Sequence, residues 1–249
     1  MRKTFILVLC SLLLSASLAF GQDKPQAIVE RAIQAQGGEA KIAKLRTMRI
    51  KVEGTTDLIA GQPNFPITVE DIWKMPGRYK SISKFRFMGN AVTQIQAIDG
   101  DTGWGEFNGQ TQDLPKEALA EMKEQKYAED LDRLSFLNEK GIELSRLDEI
   151  KVDGKPTVGV LVKSKGHRDV KLYFDKAGGL LVKRQHIVLD PASGKEVVQE
   201  VLFSDFQDKG GVKHYRKITA YRDGKKMFEG KVTELEFFDK LEDKVFAKP

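Results

Sequence analysis

The stretch Ala97–Trp104, AIDGDTGW, sets two aspartates and a threonine around two glycines, an arrangement that could open a calcium loop. An EF-hand loop beginning at Asp99 needs an oxygen ligand at its fifth place, glycine at its sixth for the sharp bend, and a bidentate glutamate at its twelfth. Those places hold Gly103, Trp104 and Gln110, so the acids read as hairpin formers and no metal is expected. His167-Arg168-Asp169 has the letters of a phosphoryl-transfer catalytic loop, but it lacks the downstream asparagine spacing and an upstream glycine-rich phosphate loop. It reads as a solvated turn leading into the strand Val170, Leu172, Phe174. The other two histidines, His186 and His214, fall on separate predicted strands without an obvious third ligand. No G-x-S-x-G elbow supplies a serine nucleophile. Glu129-Asp130 and Glu242-Asp243 read as solvated acids, and Asp175 and Asp205 as turn acids, because paired glycosidase carboxylates need a fixed separation that sequence does not display. The expectation is a protein without catalytic residues, cofactor or metal, and not an enzyme.

The chain begins with Arg2 and Lys3, an apolar run from Phe5 to Leu14 and then small residues, the layout of a secretory signal peptide over residues 1–21. Cleavage after Ala19 also leaves small residues at the cut; Gly21 is favoured. Cys10 follows Leu7-Val8-Leu9 rather than a small residue, so the chain is not expected to be lipidated. The apolar run is shorter than the roughly 20 residues that span a bilayer. Residues 22–249 then form a single expected domain without cysteine, which excludes thiol catalysis, thiolate zinc and disulfide support. The net charge falls from +5 to +3 when Arg2 and Lys3 leave, and the remaining charges are interspersed, so nucleic acid is not an expected partner.

The elements that must position any site follow from periodicity. Asp23 is placed as an N-cap and Pro25 in the first turn of a helix with Ile28, Val29, Ala32 and Ile33 on one face, stopping at Gly37-Gly38. Met48, Ile50 and Val52 then alternate with Arg49, Lys51 and Glu53, a strand with one wet face. Twelve strands are predicted, at 47–58, 67–74, 79–88, 91–98, 103–107, 142–151, 157–164, 168–175, 180–189, 196–206, 213–222 and 226–238. Asp-Gly pairs at 99–100, 153–154 and 223–224 suit tight hairpins, so the sheet is expected to be an antiparallel meander. Residues 114–141 interrupt it with helical composition, giving one or two amphipathic helices anchored by Leu119, Met122, Leu131, Leu134 and Leu137. The fold class expected is α+β: one long curved antiparallel sheet, an incomplete, half-open β-barrel, with an N-terminal helix and the helical insertion covering its concave side.

Apolar side chains on single strand faces stand out against this frame. They either meet the helices in a solid core or line a cavity that the modest helical material leaves unfilled. On the cavity reading the lining candidates are Ile50, Val52, Trp73, Phe87, Trp104, Val160, Leu172 and Phe174, and Leu119, Met122, Leu131 and Leu134 belong to a lid.

The order of KLRTMRIKVEG (44–54), WKMPGRY (73–79), IDGDTGW (98–104), the helical insertion, KVDGKPTVGVLV (151–162), YFDKAGGLLVKR (173–184) and VTELEFFDKLEDKVFAKP (232–249) resembles the LolA/LolB-like superfamily of periplasmic lipoprotein-sorting and lipid-carrier proteins. The resemblance spans nearly all of residues 22–249 and implies an incomplete barrel whose hydrophobic cavity receives acyl chains. It implies a periplasmic monomer with lipid or an acylated lipoprotein as partner and only transient membrane contact. A basic residue that holds the lid closed in such carriers corresponds here to Arg46, Arg49 or Arg78. An envelope sensor or interaction protein with a protein partner is the alternative on the same fold, and a lipid- or glycan-acting enzyme a weaker one.

Overall fold

Met48, Ile50 and Val52 are buried on β1 (Thr47–Thr56), while Arg49 and Lys51 pair outward with Glu236 and Glu234. The alternation in the sequence thus separates an inner from an outer face, as the pleat requires. The structure, a computed structural model, describes residues 24–57, 62–190 and 193–249. The expected signal peptide, Cys10 and the proposed cap Asp23 lie outside the described residues. The first helix, α1 (Pro25–Gln36), begins after Lys24, which makes no side-chain cap, and buries Ile28, Val29, Ala32 and Ile33. A single turn, α2 (Glu39–Ile42), and a 3₁₀ turn then deliver Ile42 and Leu45 to the core.

Twelve further strands follow: β2 (Phe65–Lys74), β3 (Arg78–Phe87), β4 (Asn90–Asp99), β5 (Thr102–Phe107), β6 (Gln110–Asp113), β7 (Ile142–Val152), β8 (Lys155–Ser164), β9 (Val170–Asp175), β10 (Leu181–Leu189), β11 (Glu196–Lys209), β12 (Val212–Arg222) and β13 (Lys225–Phe237). The sheet therefore holds thirteen strands rather than twelve. The additional one, β6, has the sequence QTQD, and without apolar alternation it carries no strand signal; it forms by pairing with β5 alone at the sheet edge. Hairpin chemistry is legible at Asp153-Gly154 and Asp223-Gly224, where both residues take positive φ as a two-residue turn of this hand demands.

The strand order is β6-β5-β4-β3-β2-β1-β13-β12-β11-β10-β9-β8-β7, with antiparallel pairing throughout. This corrects the single meander. Two meanders, β1 to β6 and β7 to β13, are joined where the first strand pairs with the last, Met48 opposite Phe237. Hairpin signals specify neighbours within each half, but the β1–β13 pairing joins residues far apart in the chain and has no local signature. The sheet is not closed, and its free edges are β6 and β7.

The insertion forms one helix, α3 (Lys116–Leu131), followed by turns that bury Leu134 and Leu137. Because α3 leads from one edge strand to the other, it lies across the open side of the half-barrel. α1 packs on β7, β8 and β12, and α3 on β10, and their buried side chains join one core with the inner faces of the strands.

Candidate functional site: a cavity with a charged end

Between the inner face of the sheet and the two helices lies a cavity of about 230 Å³. Ile50 and Val52 of β1, Val69 and Trp73 of β2, Ile218 of β12 and Phe228 of β13 wall it on one side, and Ala32, Leu45, Leu181 and Phe203 continue the apolar lining. A second space of about 260 Å³ shares Leu180, Phe203 and Phe206 with the first and is also lined by Asp153 and Asp175 at the strand ends and by Asp205 within β11.

The end of the cavity under α3 is charged. Arg184 of β10 reaches inward and pairs with Asp132 just after α3. Arg133, the next residue, donates from Nη1 to the carbonyl of Glu129 (2.7 Å), and its guanidinium lies 4.4 Å from the centroid of the Trp73 ring. Lys126 sits over Trp73 and Tyr79 (4.9 and 4.2 Å to the centroids) and binds Glu129 at 3.0 Å, so its charge is shared between a carboxylate and two ring faces. Tyr79 donates to Asp71 at 2.7 Å.

Burial and neighbouring charge drive these acids apart. Burial pushes Asp132 up to about 7, against the pull of Arg184 and Arg133. Asp71 is raised to about 6 by burial and by Glu129, with hydrogen bonds from Tyr79 and Ser81 opposing. Burial also acts on Glu129, but Lys126 and Arg184 overcome it and its pKa is lowered. His214, which lines the cavity, and His186, deeper on β10, are held neutral by burial at about 4 and about 3.

Of the residues singled out in the sequence, Ile50, Val52, Trp73 and Leu134 line the cavity. Val160, Leu172 and Phe174 are fully buried, but in the core of β8 and β9, not among the lining residues. Phe87 packs against Phe65 (6.5 Å between ring centroids) near the far end of β3. Leu131 is core; Met122 is half-buried on α3. Leu119 lies so close to Gly103 that a Cβ there would fall 2.6 Å from its Cδ1.

That contact shows that Gly103 faces α3, so Trp104, next on the strand, faces the other way. The ring of Trp104 is buried on the outer face, where its Nε1 donates to the carbonyl of Phe246 (2.8 Å) and Lys80 lies 5.2 Å from its centroid. The cavity assignment of Trp104 is corrected accordingly: a C-terminal strap that turns back over the sheet buries it. Asp99 and Asp101 bind Arg78 (2.7 Å) and Lys123 (3.1 Å).

His167 and Arg168, read as a solvated turn, instead anchor α3. His167 stacks on Tyr127 (3.7 Å between centroids) and contacts Glu124 at 2.8 Å, and Arg168 binds Glu121 at 2.8 Å. Of the three candidate lid-holding arginines, Arg46 lies over Phe136 at 4.6 Å and so touches the segment after α3; Arg49 and Arg78 pair with Glu236 and Asp99. The buried charged cluster was missed because Arg184 and Asp132 meet only through the fold. A local signal existed at Val69-Asp71-Trp73, where an acid sits on an inward stripe.

No family model matches the sequence, and no curated protein does. Among solved structures the chain is similar to a LolA superfamily protein from Nitrosomonas europaea, with 12% identity over 91% of this chain and 99% of that chain and a TM-score of 0.57. It is also similar to a domain from Vibrio parahaemolyticus described as an outer membrane lipoprotein-sorting protein, with 12% identity over 88% and 97% and a TM-score of 0.53. At this identity the likeness establishes a shared LolA-type fold.

Proposed function

We propose that this chain is an exported, periplasmic carrier that takes up acyl chains of a lipid or lipoprotein in the cavity and acts by binding rather than by catalysis. The observation that carries the reading is the apolar space of about 230 Å³ held open inside an unclosed half-barrel. Each methylene transferred into it from water contributes roughly 0.8 kcal/mol, so several together offset the cost of association without any reacting group. α3 and the turns after it serve as the lid. Their attachments at Arg168–Glu121, His167–Glu124 and Arg184–Asp132 are polar contacts that can open without unravelling the sheet. The chain works as a monomer that touches membranes only transiently, and the apolar leader over residues 1–21, headed by Arg2 and Lys3, directs its export.

Native mass spectrometry of protein purified from periplasm should show co-purifying lipid, and a fluorescent fatty-acid probe should bind the delipidated protein. Absence of both sinks the carrier reading. If crosslinking in cells instead captured an envelope protein while no lipid was found, the sensor alternative would take its place.

A further inference from the structure

We propose that the charged end of the cavity is a head-group subsite for a single-chain amphiphile bearing an oxyanion, a carboxylate or a phosphate, which accepts hydrogen bonds from the Nε–H groups of Arg133 and Arg184. The inference rests on the carrier reading and adds to it the chemistry of the ligand's polar end.

The first observation is a set of donors without acceptors. Arg184 and Arg133 are 3% and 7% exposed, and both line the cavity. Each uses Nη1 for a protein partner, Asp132 for Arg184 and the Glu129 carbonyl for Arg133, but the Nε–H of each has none. The indole N–H of Trp73, 3% exposed and on the same lining, also lacks an acceptor. Buried guanidinium and indole donors are rarely left unpaired, because each then carries its full desolvation cost. The unpaired acceptors on the lining are Gln36 Oε1 and Asp132 Oδ1, so donors are in excess.

The charge balance at this end turns on two of its acids. Three cations, Lys126, Arg133 and Arg184, meet Glu129, Asp130, Asp132 and Asp71 at this end. Glu129 is held ionised, whereas burial raises Asp71 and Asp132 to about 6 and about 7, so these two give up their charge most readily when another anion arrives. His214 and His186 are neutral, and the hydroxyls of Tyr79 and Tyr215 are held protonated by burial, so none of these groups adds a negative charge against the ligand. Guanidinium is suited to the role because its planar N–H array matches the geometry of carboxylate and phosphate oxygens.

Size selects one chain. The space beside the arginines, about 230 Å³, is below the roughly 300–1,000 Å³ of pockets that hold drug-sized ligands, so next to the head group it takes one chain, and the adjoining space of about 260 Å³ past Phe203 lengthens the path for that chain. An alkyl tail running from the arginines past Ile50, Val52 and Phe228 stays on apolar wall.

The test uses the delipidated wild-type protein and three ten-carbon ligands, decanoate, decyl phosphate and decanol, measured by calorimetry at pH 6.5. At least one of the two anions should bind tenfold or more tighter than decanol. Preference for decanoate identifies a free fatty acid as the source, and preference for decyl phosphate a phosphate lipid. Arg133→Gln should bring the affinity for the preferred anion down to the wild-type level for decanol. Should that variant fail to fold, as judged by circular dichroism, the ligand series on the wild type still decides. Equal affinity for all three overturns the head-group subsite and leaves the carrier reading standing, whereas binding of none overturns both.

Discussion

Trp73 and Trp104 lie three strands apart on the same sheet and are almost equally buried, at 3% and 2% exposure, yet they belong to opposite surfaces. Trp73 looks into the half-barrel, where two cationic side chains cover its ring and its N–H has no acceptor. Trp104 looks outward under the C-terminal strap, where the carbonyl of Phe246 satisfies its N–H and Phe246 itself is fully buried. The outer site is a finished piece of packing, its polar atom paired. The inner one leaves donors without protein acceptors beside an open space, the contrast on which the proposed head-group subsite rests.

The largest effect should come from breaking the finished side. Trp104→Ala removes a buried ring and its hydrogen bond and should cost about 3–5 kcal/mol in chemical denaturation, while the affinity of the folded variant for a fluorescent fatty-acid probe stays near wild type. Trp73→Ala should do the reverse in binding, weakening the probe several-fold. If Trp104→Ala lost the probe and Trp73→Ala kept it, the assignment of the two faces would be wrong.

Titration sharpens the contrast. A carboxyl whose folded pKa lies above its ordinary value binds protons more strongly folded than unfolded, so it takes stability away as pH rises through that window. For Asp71 the window runs from its ordinary 3.8 to about 6. Asp71→Asn, which can still accept from Tyr79, should therefore gain stability relative to wild type as pH is raised from 4 to 7. His186, His214 and Asp132 titrate in both proteins and cancel in the difference, so the slope that remains belongs to Asp71. A difference that does not change with pH would show that Asp71 is solvated.

The smallest effect belongs to the outer face of β1. Arg49 and Glu236 bind at 2.7 Å but are 36% and 48% exposed, so Glu236→Ala should cost less than about 1 kcal/mol in the same denaturation assay. A larger loss would mean that outward ion pairs, and not only the strap, hold this face.

Much of this frame was legible. The alternation Met48, Ile50, Val52 against Arg49, Lys51, Glu53 told which face of β1 is wet, and the Asp-Gly pairs at 153 and 223 told where strands turn. Ile50, Val52 and Trp73 were readable as inward residues for the same reason. Trp104 was not, because AIDGDTGW contains small residues on both parities and no stripe to orient the ring; only Leu119 lying over Gly103 settles which side faces α3. Arg184-Gln185-His186 mixes polar and apolar neighbours in both registers, so the inward direction of Arg184 could not be read from β10 alone.

The sequence by itself determined the local features: strand and helix periods, the turns, and the lack of cysteine over the described residues, which leaves their stability to apolar burial. Those depend on neighbours within a few residues. The tertiary structure alone decided that β1 pairs with β13, that a C-terminal strap covers Trp104, and that Arg184 meets Asp132 across 52 residues of chain. These are long-range contacts, won by the competition among whole elements for a shared core, and the charged end of the cavity is assembled from them.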